Sequence, residues 1–321
     1  MMQTSMPTAC VHCNANTLTK REEKWGYTLY ECAACTLQFW WPFKNPGHES
    51  YEQNGRYRDR NFHPQTKSLY HSQILFLKKK VRPKTTLLDL GMGTGRFLSA
   101  AKEKGYQVTG TDFEKDAIQA AKTVFKLEDV YDLDLETFFK TFPDRKFDII
   151  TMFEVLEHVD GYSFFPYIRQ ALKPGGYFAV TVPNRDCWKP LLAHEGPPIH
   201  LTRWSREAIE IFLGKYGFKV VSIKRLPIPL RLLISYFNDW TKGILSFSTL
   251  KRVEKLVQKE PAAPRTAPGP RRVHPVMRVL RAISFIKLYV LFFIPAVLLY
   301  VYIWATGGRN YTTLYVTAVP K

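Results

Sequence analysis

LLDLGMGTGRF, residues 87–97, runs from strand-forming residues straight into three glycines, Gly91, Gly93 and Gly95. Glycine is required where a chain turns sharply and where a ligand approaches the backbone. The spacing is GxGxG, not the GxGxxG of dinucleotide-binding turns. An aspartate, Asp89, stands two residues before the first glycine. A carboxylate there repels a pyrophosphate and attracts a cationic or amine-bearing ligand.

The sequence on either side alternates strand and helix patterns. Residues 84–125 read as strand, glycine turn, helix, strand, acidic residue and helix, a βαβ unit that opens a parallel sheet. FDIITMFEVL (147–156) is a further apolar strand. LKPGGYFAVTVPN (172–184) reads as a helix end, a Pro-Gly-Gly turn and a strand. SREAIEIFLGKYGFKVVSIKRL (205–226) gives a helix with a serine N-cap and then a strand. Asp112 ends the second strand, where a carboxylate can accept hydrogen bonds from both hydroxyls of a ribose. Asp134 follows the expected third strand. PQTKSLYHSQILFLKKK (64–80) has helical spacing through Leu69, Ile74 and Leu77, with Pro83 as its stop.

LLDLGMGTGRF, Asp112, FDIITMFEVLEHV and LKPGGYFAVTVPN, in that order, resemble the class I S-adenosylmethionine (SAM)-dependent methyltransferases. Within that family the resemblance is to the branch that includes the ubiquinone-biosynthesis O-methyltransferases. It implies an α/β fold, a Rossmann-like sheet of seven strands, with SAM as cofactor. It also implies roles. Asp89, Gly91 and Gly93 would line the methionine end of SAM, with Gly95 in the loop above it. Asp112 would hold the ribose, Asp134 and the Leu135 backbone would meet adenine, and Glu154 would lie near the sulfonium or the amino group.

Methyl transfer to a hydroxyl is helped by a base that titrates near neutrality, and histidine is the natural choice. His158 follows the fourth strand of the sheet and His200 lies in the loop after the fifth, both where loops border such a site. Either can be the base, or can instead hold its loop. His194 is a third candidate, and His12 is expected to be solvated.

Cys10-x2-Cys13 and Cys32-x2-Cys35 have zinc-ribbon spacing. Four thiolates in a tetrahedron suit a structural Zn2+, the other reading being two redox-active or incidental pairs. Cys187 is left over and reads as an ordinary buried or loop thiol. CVHC…CAAC and the aromatic-proline segment after it also resemble zinc-ribbon methyltransferases found beside glycan, sugar and lipid biosynthesis genes.

The net charge of +18 points to an anionic partner. Ten lysines and arginines fall in residues 251–287, against Glu254 and Glu260, just before the uncharged LYVLFFIPAVLLYVYIW (288–304). YTTLYVTAV (311–319) alternates like a strand and is expected to be the seventh, paired antiparallel to FKVVSIKRL. Both ends of the intervening segment then lie on one side of a membrane. A run of 17 residues spans about 26 Å, against about 30 Å of hydrocarbon, and Pro295 favours a kink or re-entrant turn. The expectation is a monotopic insertion on an anionic surface, with a single span or a buried helix as alternatives.

The expected organisation is therefore a zinc ribbon (1–48), a connector helix (49–83), a SAM-binding domain (84–226), a basic and apolar membrane-associating insertion (227–308) and the last strand (309–321). With no signal-peptide pattern at the N-terminus, the expected location is cytoplasmic and membrane-associated. The expected function is O-methylation of a small, lipid-linked or glycan acceptor. The alternatives are an RNA methyltransferase, for which TVPNR lacks the Asn/Asp-Pro-Pro-aromatic motif of base amino-methylation, and a non-catalytic SAM-binding membrane protein.

Overall fold

The computed structural model describes residues 6–47, 64, 68–187, 196–228, 230, 233–234, 291–302, 304–305 and 311–321. The chain divides into two compact units, residues 1–227 with 311–321, and residues 228–310.

The first unit is built on a seven-stranded sheet. Five strands form its parallel part: β4 (Thr86–Leu90), β5 (Gln107–Asp112), β6 (Val130–Asp132), β7 (Phe147–Met152) and β8 (Leu172–Pro183). The other two, β10 (Phe218–Pro227) and β11 (Tyr311–Pro320), are antiparallel. The order across the sheet is β6-β5-β4-β7-β8-β11-β10. β11 thus lies between β8 and β10, in the place expected for the seventh strand and paired with the expected partner.

The helices are α1 (His71–Leu77), α2 (Arg96–Glu103), α3 (Lys115–Val124), α4 (Leu135–Thr141), α5 (Phe165–Ala171) and α6 (Arg206–Lys215). The first, second and third bury apolar stripes on the sheet through residues such as Phe76, Leu98 and Ala121. The capping serine of α6 is as expected, with Ser205 Oγ accepting from the Ala208 amide at 3.0 Å. Two local readings differ from the structure. α1 is shorter than its helical pattern. It starts only after Tyr70, whose amide donates to the Gln73 side chain, and it leaves Ile74 exposed. LKPGG is not a turn ahead of a strand: β8 begins at Leu172, and the glycines sit in a register shift opposite β7, Gly175 with φ +75°.

A second sheet carries the N-terminal cysteines. β1 (Leu18–Lys24), β2 (Tyr27–Cys32) and β3 (Gln38–Trp41) form an antiparallel ribbon, with β3 drawn from the aromatic segment that follows the cysteines. Its fourth member comes from far along the chain: β9 (Thr202–Arg203) pairs with β3 through Phe39↔Thr202 and Gln38↔Arg203. No local pattern announces a two-residue strand, because its pairing is decided by a partner some 160 residues away.

His12 corrects the expectation of a solvated residue. It is 5 % exposed, its ring 4.6 Å from that of Phe212 on α6. Burial, with the positive charge of Lys215 nearby, lowers its pKa to about 4, so the imidazole packs as a neutral ring. Phe212 also meets Tyr162, Phe165 and Trp204, and joins ribbon to sheet. Phe212→Ala is expected to cost about 3–5 kcal/mol of stability. The urea-unfolding midpoint of the purified protein measures it, and a loss under about 1 kcal/mol would show that the ribbon packs independently.

In the second unit, residues 291–302 are helical, with Leu291, Ile294, Leu298 and Tyr302 exposed and Ala296 buried. No helix among the described residues is long and apolar enough to cross a membrane. The basic stretch 251–287 and the segment 235–247 lie outside the described residues.

Candidate functional site

The strand order reverses at β4, whose neighbours β5 and β7 lead to opposite edges of the sheet. In open α/β sheets a crevice forms outside the carboxyl ends of the strands at such a point. Here it is a cavity of about 590 Å³. Gly91 and Gly93 enter it after β4; Asp112, Phe113 and Glu114 after β5; Asp134 and Leu135 after β6; and Glu154, Glu157 and His158 after β7. His200 reaches it from the loop before β9, and Asn45 and Gly47 from the end of the ribbon.

The glycine turn is shaped by close approach. Gly91 has φ +71°, and a Cβ built on it would lie 2.5 Å from Val155 Cγ2. Gly95 has φ +78° and caps α2; its Cβ would meet Leu127 Cδ1 at 2.7 Å. Gly95 therefore serves the packing of α2 on the loop after α3, and it does not line the cavity.

Asp89 also stands behind the cavity wall, 3 % exposed. Its Oδ1 accepts from the Thr151 hydroxyl at 2.6 Å. Burial raises its pKa to about 7; the Thr151 hydrogen bond opposes the rise and the charge of Asp112 adds to it. Asp112 Oδ2 accepts from the Gly93 amide at 2.8 Å and its Oδ1 from the Glu114 amide at 3.0 Å. The first of these bonds ties the end of β5 to the glycine turn; the second fixes the carboxylate on its own loop. A carboxylate has about four lone-pair sites, so two amides do not exhaust its capacity for hydroxyls.

Asp134 is the N-cap of α4, taking the amides of Glu136 and Thr137 and the Thr137 hydroxyl. Burial pulls its pKa up, but these donors outweigh it and hold the carboxylate below its usual range. Glu154 has φ +59°, a conformation costing a non-glycine residue of order 1 kcal/mol or more. Its amide donates to Thr181 Oγ1 at 2.9 Å, fixing the kink that follows β7.

His158 and His200, distant in sequence, meet edge to face with ring centroids 4.7 Å apart. His158 Nδ1 is 2.9 Å from the Ile199 carbonyl oxygen. A carbonyl only accepts, so Nδ1 carries a proton. Nε2 of the same ring is 3.8 Å from Oε1 of Glu157, which is fully buried. One ligand atom from each of Glu157, His158 and His200 falls within 4.8 Å of the others, a group able to hold a metal ion. Sequence reading missed Glu157; the signal was its place beside His158 in LEHV. His194 lies outside the described residues.

The four ribbon cysteines also converge. Their Sγ atoms all lie within 4.8 Å of one another, with Cys10–Cys35 at 3.6 Å and Cys13–Cys32 at 3.5 Å. A tetrahedral Zn2+ with Zn–S bonds near 2.3 Å requires sulfurs about 3.8 Å apart. Cys187 is a buried thiol.

The buried Asp89 carboxylate gives a pH-dependent stability. Its folded pKa, about 7, is above the aspartate value of 3.8, so its ionisation opposes folding. This cost is absent below about pH 4, grows as pH rises and is complete above about pH 7. Asp89→Asn keeps an acceptor for Thr151 and removes the charge. The cofactor-free variant is expected to melt higher than wild type at pH 8, with a smaller gain at pH 5. Melting temperatures at both values test this; a gain independent of pH would reject the buried charge.

Residues 62–223 match the family model described as a methyltransferase domain. A ubiquinone biosynthesis O-methyltransferase of Idiomarina loihiensis is 34 % identical over 121 residues, covering 36 % of this chain and 46 % of that protein. The enzyme of that name from Yersinia pestis is 34 % identical over 116 residues, 34 % of this chain and 47 % of its own length. The chain thus spans about half the length of these curated relatives. Among solved structures, a cyclopropane synthase from Mycobacterium tuberculosis aligns with 16 % identity and a TM-score of 0.49, over 86 % of this chain and 99 % of that one. A Geobacter sulfurreducens SAM-dependent methyltransferase in complex with S-adenosyl-L-homocysteine aligns with 16 % identity and a TM-score of 0.43, over 82 % and 98 %. The family match, on a seven-stranded sheet with its cavity at the β4 switch point, identifies the chain as a member of the class I SAM-dependent methyltransferases.

Proposed function

We propose that the chain methylates an oxygen of a small, lipid-linked or glycan acceptor, with His158 or His200 taking the proton. The observation that carries this reading is the His158–His200 pair facing the cavity beside the glycine turn. SAM supplies the electrophilic methyl group. What is left to the chain is to align the acceptor oxygen and to remove its proton. With Nδ1 donating to the Ile199 carbonyl, Nε2 is the His158 nitrogen left for that task. Gly91, Gly93, Asp112, Asp134, Leu135 and Glu154 hold SAM in this reading, with Asp89 behind the glycine turn contributing its charge through the wall and Gly95 shaping the turn.

The acceptor is neutral or cationic at its reacting end. Seven carboxylates line the cavity, those of Asp112, Glu114, Asp134, Glu136, Glu154, Glu157 and Asp160, and no lysine or arginine is among the described lining residues. Such a wall repels phosphate, which disfavours RNA in spite of the net charge of +18. The exposed apolar face of helix 291–302, following the basic segment, supports docking on an anionic membrane by residues 227–308.

A second reading of the histidines is favoured by the burial of Glu157 beside them. A carboxylate inside a protein is stabilised by a cation, and Glu157, His158 and His200 form a set suited to a divalent ion. In that case the pair orients the acceptor through the ion and does not act as a base. In the ribbon, Cys10, Cys13, Cys32 and Cys35 hold a structural Zn2+ in this proposal.

Methyl-labelled SAM, incubated with full-length protein and separate lipid, glycan and RNA extracts, tests the assignment. Label is expected in the lipid or glycan fraction, base-stable as an ether. His158→Gln and His200→Gln are expected to lower it by about 10²-fold or more with SAM affinity retained. Label confined to RNA would overturn the acceptor class. Chelation of a divalent ion with zinc left in the ribbon separates the two readings: only the metal reading loses activity and regains it with Mg2+ or Mn2+. Replacing residues 228–308 by a short linker is expected to abolish co-flotation with anionic vesicles; persistence of flotation would remove the membrane assignment.

A further inference from the structure

The cysteine ribbon is not a separate module attached to the catalytic sheet. After β3 the chain runs along the rim of the cavity, and Asn45 there hydrogen-bonds in three directions that bear on the site. Its Nδ2 donates to the His158 carbonyl oxygen at 2.7 Å. Its amide donates to Asp160 Oδ2 at 2.9 Å. Its Oδ1 accepts from the Gly47 amide at 2.8 Å, closing a turn. The first two bonds reach the loop after β7, so they clamp that loop on both sides of Val159.

The other histidine is held from the same ribbon. The Trp40 amide donates to the Leu201 carbonyl at 2.9 Å, next to His200, and β3 pairs with β9 immediately beyond. The Leu201 amide in turn donates to the Glu157 carbonyl at 2.7 Å. His158 and His200 therefore sit on two loops hydrogen-bonded to each other and to one ribbon edge. The His158 ring is oriented by Ile199, on the loop of His200. A shift of the ribbon moves both rings.

We propose that Asn45 is a positioning residue, through which the cysteine ribbon sets the placement of His158 and His200 at the methyl-transfer site. It rests on the reading of these histidines as the groups that face the acceptor. Asn45 acts through its amide donor on the His158 carbonyl and touches neither imidazole. The ribbon's role is thus to build one wall of the acceptor site, and its cysteine cluster stabilises that wall from the far end of β2 and β3.

The test separates the donor from the turn. Asn45→Asp keeps Oδ1 for the Gly47 amide and loses the Nδ2 donor; Asn45→Ser removes Nδ2 without adding charge and offers its shorter hydroxyl oxygen as the acceptor for the turn. Full-length protein carrying 13C-histidine is examined by NMR, with His158→Gln and His200→Gln assigning the two imidazole Cε1–H signals. Both signals are expected to move in both Asn45 variants, with the melting temperature kept and calorimetric SAM affinity within about twofold of wild type. Unmoved imidazole signals in a folded, SAM-binding variant would overturn the proposal and leave Asn45 as a turn residue. Loss of SAM binding and of melting cooperativity in both variants would overturn it as well, showing that Asn45 supports the fold as a whole. Failure of the histidine assignment is a separate outcome: full methyl transfer by His158→Gln and His200→Gln, with the Asn45-dependent shifts still present.

Discussion

Three parallel strands, β5, β4 and β7, end side by side, and a buried hydrogen bond holds that alignment. The Thr151 hydroxyl on β7 reaches across to the Asp89 carboxylate on β4. On the other side Asp112, at the end of β5, takes the amide of Gly93 beyond β4. Two carboxylates thereby draw the three strand ends into one rim. Burial makes the first of them costly to ionise, and the Thr151 hydroxyl offsets part of that cost.

How much of this could be read beforehand depended on range. Gly91, Gly93, Asp89 and Asp112 were legible because a sharp turn at a strand end is a local matter of φ and of one nearby charge. β11 was legible too, since its alternation is local and the fold has one slot left for it. Glu157, β9 and the burial of His12 were not. Each is decided by a partner remote in sequence: His200 for Glu157, Phe39 for Thr202, Phe212 for His12. His158 and His200 were each identified as neighbours of the site, but nothing in their local sequence says that they touch. Gly95 adds a reason that the motif alone does not give, the close packing of Leu127 and Ala121 against its missing Cβ.

Charge gives a second contrast of scale. The chain as a whole is strongly basic, yet its cavity is lined by carboxylates. The two features act over different distances. Screening confines each to about a Debye length, roughly 8–10 Å in ordinary buffers, so a basic surface can face an anionic partner without neutralising an acidic site. Net charge describes where such a molecule settles; the cavity describes what it accepts.

The position of β11 has a consequence for how the molecule is made. Phe178 pairs with Ala318 and Phe218 with Pro320, so an interior strand of the sheet is supplied by residues that follow the whole second unit in sequence. Until those residues arrive, β8 and β10 each present an open edge, and no other strand among the described residues lies between them. The whole second unit is synthesised during that interval. Closure of the sheet is then a late, long-range step with a large loop to close, a topology that folds slowly and exposes strand edges to other chains meanwhile.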